Sequence, residues 1–82
     1  MSQAELLLFS RADCHLCDQA EALVNALLIG SPWQLTKVDI DNDPALKRRY
    51  QTSIPVLFRC DNQQALNWPF PQSRVRSLLD LD

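Results

Sequence analysis

Four consecutive apolar residues, Leu6-Leu7-Leu8-Phe9, stop at a polar loop, and five residues after Phe9 comes Cys14-His15-Leu16-Cys17 at the head of an amphipathic segment. That juxtaposition constrains the chain more than any other feature. The apolar run is bounded by Glu5 on one side and by Ser10-Arg11-Ala12-Asp13 on the other, and it predicts a short buried strand over Glu5–Ser10. Ala20, Leu23, Val24, Leu27 and Leu28 then recur at helical spacing, with Asp18, Gln19, Glu21 and Asn25 on the other face. A helix therefore begins at or near Cys14. Gly30, the only glycine, falls where a left-handed residue would end that helix, and Pro32 prevents its continuation.

The remaining chain alternates in the same way. Trp33 to Ile40 is rich in β-branched and aromatic residues and predicts a strand, although its apolar positions change phase between Leu35 and Val38. Asp43 supplies an N-cap and Pro44 a first helical residue for a short helix through Tyr50. Ile54-Pro55-Val56-Leu57-Phe58 predicts a strand whose start is set by proline, a position that needs no ladder donor. Asp61-Asn62-Gln63-Gln64 is a polar turn, with Ala65 to Trp68 as the return strand of a hairpin. Beyond Pro69 and Pro71, the spacing of Val75, Leu78 and Leu79 gives a last amphipathic helix. The order is β-α-β-α-β-β-α, an α/β chain. A helix between each of the first three strands predicts crossover connections, and the hairpin adds an antiparallel edge.

With 82 residues, 46% of them apolar, residues 1–82 form one small domain. A formal charge of −2 argues against nucleic-acid or anionic-membrane partners, which call for a clustered basic surface. Lys47-Arg48-Arg49, the only basic cluster, reads as a solvated face complementing a helix dipole. No apolar stretch approaches the ~18 residues of a membrane span. The start, Met1-Ser2-Gln3-Ala4-Glu5, lacks a basic region before its apolar run, so a cytoplasmic location is expected. Three cysteines, an odd number, are unlike a secreted disulfide scaffold. In a reducing compartment a Cys-x-x-Cys pair is catalytic or metal-binding.

Cys14 at a helix N-terminus faces unpaired N–H groups and the positive end of the dipole, which lower a thiol pKa. Cys17 lies on the same face one turn inward, close enough to close a disulfide and expected to be more buried. That asymmetry makes Cys14 the attacking sulfur and Cys17 the resolving one. Arg11 and a partly protonated His15 favour the thiolate, whereas Asp13 and Asp18 oppose it. His15 is expected as a solvated imidazole that tunes Cys14 rather than as a proton-transfer partner. Structural zinc usually takes four ligands, and only His15 and Cys60 could join the pair; a second Cys-x-x-Cys is missing, so no metal is expected. Cys60 itself reads as a buried small hydrophobe. A cis peptide at Ile54-Pro55 would turn the Ile54 N–H and C=O out of the sheet, free to pair with an incoming extended chain. A proline at a strand start is also explained simply by its lacking an N–H where none is needed.

Cys14-His15-Leu16-Cys17 and Ser53-Ile54-Pro55-Val56, together with Val38-Asp39-Ile40-Asp41 through Asp43-Pro44 and Tyr50, resemble a small bacterial branch of glutaredoxin-like proteins in the thioredoxin superfamily. The resemblance covers nearly the whole chain. It implies a thioredoxin/glutaredoxin-like fold, a four-stranded mixed sheet flanked by helices on both faces, with Pro55 cis and packed near the thiols. It implies thiol–disulfide exchange, with Cys14 as nucleophile, Cys17 as resolver, and the backbone at Ile54 and Pro55 binding glutathione or a peptide. Arg11 would then contact a carboxylate of glutathione. No cofactor is expected to be bound, glutathione being reductant or substrate; the partners are glutathione or a disulfide-containing protein, and the expected state is a monomer. The chain departs from the family in three places. His-Leu stands between the cysteines, and Asp13 stands where thioredoxins carry tryptophan. Asn67-Trp68-Pro69-Phe70-Pro71-Gln72 replaces the paired glycines and acidic residue of glutaredoxins. Two other readings remain, a binding module of this fold with little catalysis and a metal or cluster carrier.

Overall fold

A computed structural model describes residues 4–81, which leaves Met1–Gln3 and Asp82 of the expected 1–82 domain, and with them most of the stretch before the first apolar run, outside the described residues. Strand β1 (Glu5–Ser10) lies inside a four-stranded sheet. It is flanked by β2 (Gln34–Asp39), parallel to it, and by β3 (Val56–Arg59), antiparallel. Strand β4 (Ala65–Asn67) completes the order β2-β1-β3-β4 by pairing antiparallel with β3. Helices α1 (His15–Leu28) and α3 (Gln72–Leu79) cover one face, and α2 (Pro44–Tyr50) covers the other. No helix among the described residues is long and apolar enough to cross a membrane.

A strand between two layers buries both of its faces, and this is why Leu6-Leu7-Leu8-Phe9 is uninterrupted. Leu6 and Leu8 pack with Leu57 against Ala20, Val24 and Leu28 of α1 and Val75, Leu78 and Leu79 of α3. Leu7 and Phe9 point the other way, toward Val56, Phe58 and the α2 residues Leu46 and Tyr50; the Phe9 and Tyr50 rings stack at 4.6 Å. The phase change before β2's end has the same origin. Trp33 and Leu35 serve the first layer, Val38 and Ile40 the second, so the two faces are supplied in succession along an edge strand.

The sequence expectation fails at the second crossover. Only β1-α1-β2 is a parallel crossover unit; β3 runs against β1 and β2. Helix α2 has seven residues, about 10 Å at the helical rise, and packs beside a 3-10 turn over Ile40–Asn42 that the sequence pattern does not announce. Such a short piece cannot carry the chain back down the sheet. Val56 consequently pairs with Phe9, at the same end at which β2 stops, and β3 starts there and runs the other way. Strand β3 also starts at Val56 rather than Ile54, because the Ile54 N–H is donated to the Tyr50 carbonyl (3.1 Å) and Pro55 has no N–H. β4 ends at Asn67 rather than Trp68, whose N–H still reaches the Pro55 carbonyl at 3.2 Å.

Local chemistry fixes the ends of the elements. Gly30 takes a left-handed φ of 80° past the last turn of α1. The Asp43 carboxylate accepts the Ala45 N–H at 2.9 Å and the Leu46 N–H at 3.4 Å, with Pro44 first in α2, as the sequence implies. Phe70, buried and edge-on to Trp68 at 5.1 Å, seats the start of α3. At its other end Asp80 adopts φ 57° while its N–H and that of Leu81 return to Ser77 and Arg76. Arg59 ties this terminus to β3. Its guanidinium donates to Asp61, to Asp80 and to the Leu78 carbonyl, and lies 4.8 Å from the Trp33 ring; the Trp33 Nε1–H in turn donates to the Leu79 carbonyl.

Candidate active site

The loop Arg11–Asp13 carries the chain from β1 into α1. Asp13 turns it with a left-handed φ of 58°, a conformation Asp tolerates better than most side chains. Cys14 then occupies the N-cap itself, extended at φ −111° and ψ 103°. Its Sγ accepts the Cys17 N–H at 3.1 Å, and its carbonyl accepts the Asp18 N–H at 3.1 Å. Cysteine thus stands where Ser, Thr, Asp or Asn usually caps a helix. A first-turn amide with no helical partner, aimed at sulfur, favours the anion over the thiol. The two sulfurs are joined, with Cα atoms 5.2 Å apart. Cys17 is only 3% exposed, whereas Cys14 is partly open to solvent, so Cys14 is the more accessible of the two sulfurs. His15 is exposed, and Leu16, at 46% exposure, leaves an apolar side chain on the surface between the cysteines.

Arg11 is less available than the sequence suggests. Its guanidinium donates twice to the Asp41 carboxylate, at 2.8 and 3.2 Å, and Lys47 Nζ lies 3.8 Å from the same group. A substrate carboxylate would compete with Asp41 for it. Asp41 belongs to an alternating set, Asp39, Asp41 and Asp43, in which the sequence pattern assigns a capping role to Asp43 alone. Asp39 accepts the Asp41 N–H, Asp41 holds Arg11, and Asp43 caps α2. No local sequence pattern announces Asp41; the parallel register, which ends with Ser10 beside Asp39, brings the segment that carries it to Arg11.

The Ile54-Pro55 bond is cis, as the resemblance implies, and Pro55 is fully buried. Because Val56 pairs with Phe9, this segment lies at the end of the sheet from which the chain leads to Cys14. The expectation of a free Ile54 N–H needs correction. That amide is already donated to Tyr50, so what Ile54 presents is its carbonyl, which no backbone N–H reaches among the described residues, and a partly exposed side chain. A second cis bond, Trp68-Pro69, has no counterpart among the sequence expectations.

Cys60 lies at the other end of the molecule. It follows β3, donates its N–H to the Glu5 carbonyl, and sits with Sγ 3.9 Å from Glu5 Oε1. It is partly exposed rather than buried, and its thiol is pushed above the usual range, by desolvation first and then by Glu5 and Asp61. The length of β1, about 20 Å at the strand rise, separates Cys60 from the pair. It therefore cannot be a further ligand or thiol there. No group of three or more His, Cys, Asp or Glu gathers at metal-binding distances among the described residues.

Residues 5–80 match the family model of the glutaredoxin-like domain (DUF836). Among solved structures, the protein XcR50 from X. campestris is 39% identical, with a TM-score of 0.78 over 94% of this chain and 97% of that one. Protein Ne2328 from Nitrosomonas europaea is 25% identical, with a TM-score of 0.80 over 95% of this chain and 93% of its own. At the level of fold alone, a thioredoxin mutant from Halobacterium salinarum NRC-1 superimposes with a TM-score of 0.74 at 20% identity, over 96% of this chain and 74% of that one. No curated protein matches the sequence.

Proposed function

The chain belongs to the glutaredoxin-like domain family (DUF836), and on that basis we propose that it is a small thiol–disulfide oxidoreductase working through Cys14 and Cys17. The observation that carries the proposal is the N-cap placement of Cys14, with Sγ on the Cys17 N–H and the second sulfur buried behind it. In the reduced protein the Cys14 thiolate attacks a substrate disulfide. A Cys14–substrate disulfide forms, and the first substrate sulfur leaves as a thiolate that takes a proton from solvent. Cys17 then loses its proton and attacks Cys14 Sγ, closing the Cys14–Cys17 disulfide and expelling the second substrate sulfur. Two electrons pass from the dithiol to the substrate, and two equivalents of an external thiol return them, leaving as a disulfide.

The substrate is a protein disulfide or a glutathione mixed disulfide, and glutathione is also the candidate reductant. His15 tunes Cys14 as a solvated imidazole. The Ile54 carbonyl beside Pro55 is the backbone group offered to an extended substrate, and Arg11 meets a substrate carboxylate only by exchanging it for Asp41. A monomer in a reducing compartment, the cytoplasm, completes the proposal. Trapping tests the assignment: Cys14→Ser abolishes turnover, whereas Cys17→Ser accumulates a mixed disulfide at Cys14, read by intact-protein mass spectrometry. Equal residual activity in the two variants would contradict the roles of nucleophile and resolver.

A further inference from the structure

The two edges of the sheet are finished differently. On β2 the edge carries Lys37, paired with Glu21, and a charged edge resists strand addition. On β4 the edge is Ala65-Leu66-Asn67, with no charge. Hydrogen bonds from Arg59 N–H to the Gln64 carbonyl and from Trp68 N–H to the Pro55 carbonyl bracket the β3–β4 ladder. Antiparallel alternation then makes Leu57–Leu66 the bonded pair between them and turns the N–H and C=O of Ala65 and Asn67 outward. Two clefts, of ≈ 380 and ≈ 360 Å³, run beside this edge and share Ala65, Leu66 and Arg74. One extends along α3 to Leu78, and the other reaches Pro69. Arg74 is exposed and, like Arg48, Arg49 and Arg76, forms no ion pair with a carboxylate among the described residues, but of these four it alone lines the clefts beside β4.

We propose that the free β4 edge and the cleft beside it receive an extended, acidic segment of the protein whose disulfide Cys14 attacks. The proposal rests on the oxidoreductase reading and names its substrate class as protein rather than small disulfides. The edge supplies main-chain hydrogen bonds for an added strand, and Arg74 selects a carboxylate on it. The distances are compatible. Asn67 pairs with Val56 and Val56 with Phe9, so the Asn67 end of β4 lies at the end of the sheet that leads to Cys14. Three strand spacings separate a strand added outside β4 from β1, about 14 Å, which an extended chain covers in about four residues. An acidic residue roughly four to six positions from the substrate cysteine therefore reaches Arg74.

The test uses the full chain, reduced beforehand, and peptides whose single cysteine is capped with thionitrobenzoate. The peptides carry Glu or Lys at the fifth position after that cysteine, and release is followed by absorbance at low ionic strength. The Glu peptide is expected to react about three- to fivefold faster than the Lys peptide, the scale of one exposed ion pair. Arg74→Glu inverts that ratio. Arg76→Glu, an equal charge change two residues along α3, keeps it. Methylating alternate backbone amides of the Glu peptide removes the advantage by blocking the added strand. A ratio of one in the unaltered protein, or an equal loss in Arg76→Glu, overturns the docking strand while leaving the redox reading in place. Release of thionitrobenzoate without formation of the Cys14–Cys17 disulfide, read by mass spectrometry, overturns both.

Discussion

Asp43→Ala probes how a surface cap controls the Ile54-Pro55 segment, at the end of the sheet from which the chain leads to Cys14. The carboxylate takes one good amide bond, from Ala45 at 2.9 Å, and one long one, from Leu46 at 3.4 Å, so the loss is close to that of a single N-cap, ~1 kcal/mol. The negative charge at the head of α2 adds ~0.3 kcal/mol. Unfolding entropy of ~2.1 cal/mol/K per residue gives roughly 0.17 kcal/mol/K for a chain of 82 residues, so Tm falls by about 8 °C. Asp43→Asn keeps the acceptor and loses only the charge, which costs about 2 °C. Tyr50 ends α2, and its carbonyl holds the Ile54 N–H, so easier opening of the helix exposes that amide. Amide exchange at Ile54 should then accelerate about five- to tenfold in Asp43→Ala. Urea unfolding of the oxidised protein with an unchanged m-value, together with exchange measured at single residues, checks both numbers. Equal losses in the Ala and Asn variants would refute the capping role of the Asp43 oxygen. An unchanged Ile54 exchange rate would refute the link from α2 to the Ile54-Pro55 segment.

Leu8 is fully buried between α1 and α3, and Leu8→Ala should cost about 2–5 kcal/mol in urea unfolding, while Leu16→Ala, at a surface position, should cost less than about 1 kcal/mol. The Arg59 hydrogen bonds hold the Asp61 carboxyl below its usual value of 3.8, so the stability they give is present above that value and is lost as pH falls through the lower folded-state value. Asp61→Asn removes this part of the acid dependence, and unfolding curves from neutral pH down to pH ~2.5 should converge with those of the unaltered protein. Burial and Glu5 raise the Cys60 thiol, so its contribution is present below the usual thiol value and is lost as pH rises through the higher folded-state value. In the reduced protein Cys60 should be alkylated well after Cys14 at neutral pH, and Cys60→Ala should leave substrate reduction intact; early alkylation of Cys60 would contradict its assigned environment.

Patterns that depend on neighbours along the chain are legible in the sequence. Asp43-Pro44 announces α2, Gly30 and Pro32 close α1, and Val75, Leu78 and Leu79 mark the buried stripe of α3. Cys14 at a helix start is legible for the same reason, since capping is local. Features set by the paths of distant segments are not. The direction of β3 follows from the end at which α2 delivers the chain, which composition does not encode. The pairing of Arg11 with Asp41 requires the β1–β2 register, and the Arg59 contacts join β3 to the end of α3. Whether the Ile54 amide is free depends on how α2 ends at Tyr50, and so the expected pair of free backbone groups shrinks to one carbonyl. Phe70 looks like part of a proline-rich connector because its burial comes from Trp68 and the sheet rather than from any helical or strand period.

Whether Cys14 and Cys17 form a reversible two-electron couple is decided by redox titration. The protein is equilibrated in defined glutathione and dithiothreitol buffers and quenched in acid, and its thiols are alkylated and mapped by mass spectrometry. A single two-electron transition confined to Cys14 and Cys17 is expected, reversible from both directions, at a potential between roughly −200 and −270 mV, with Cys60 unchanged throughout. A pair that stays reduced across the glutathione range, or a disulfide that forms only under strong oxidation and does not reverse, would contradict the oxidoreductase assignment.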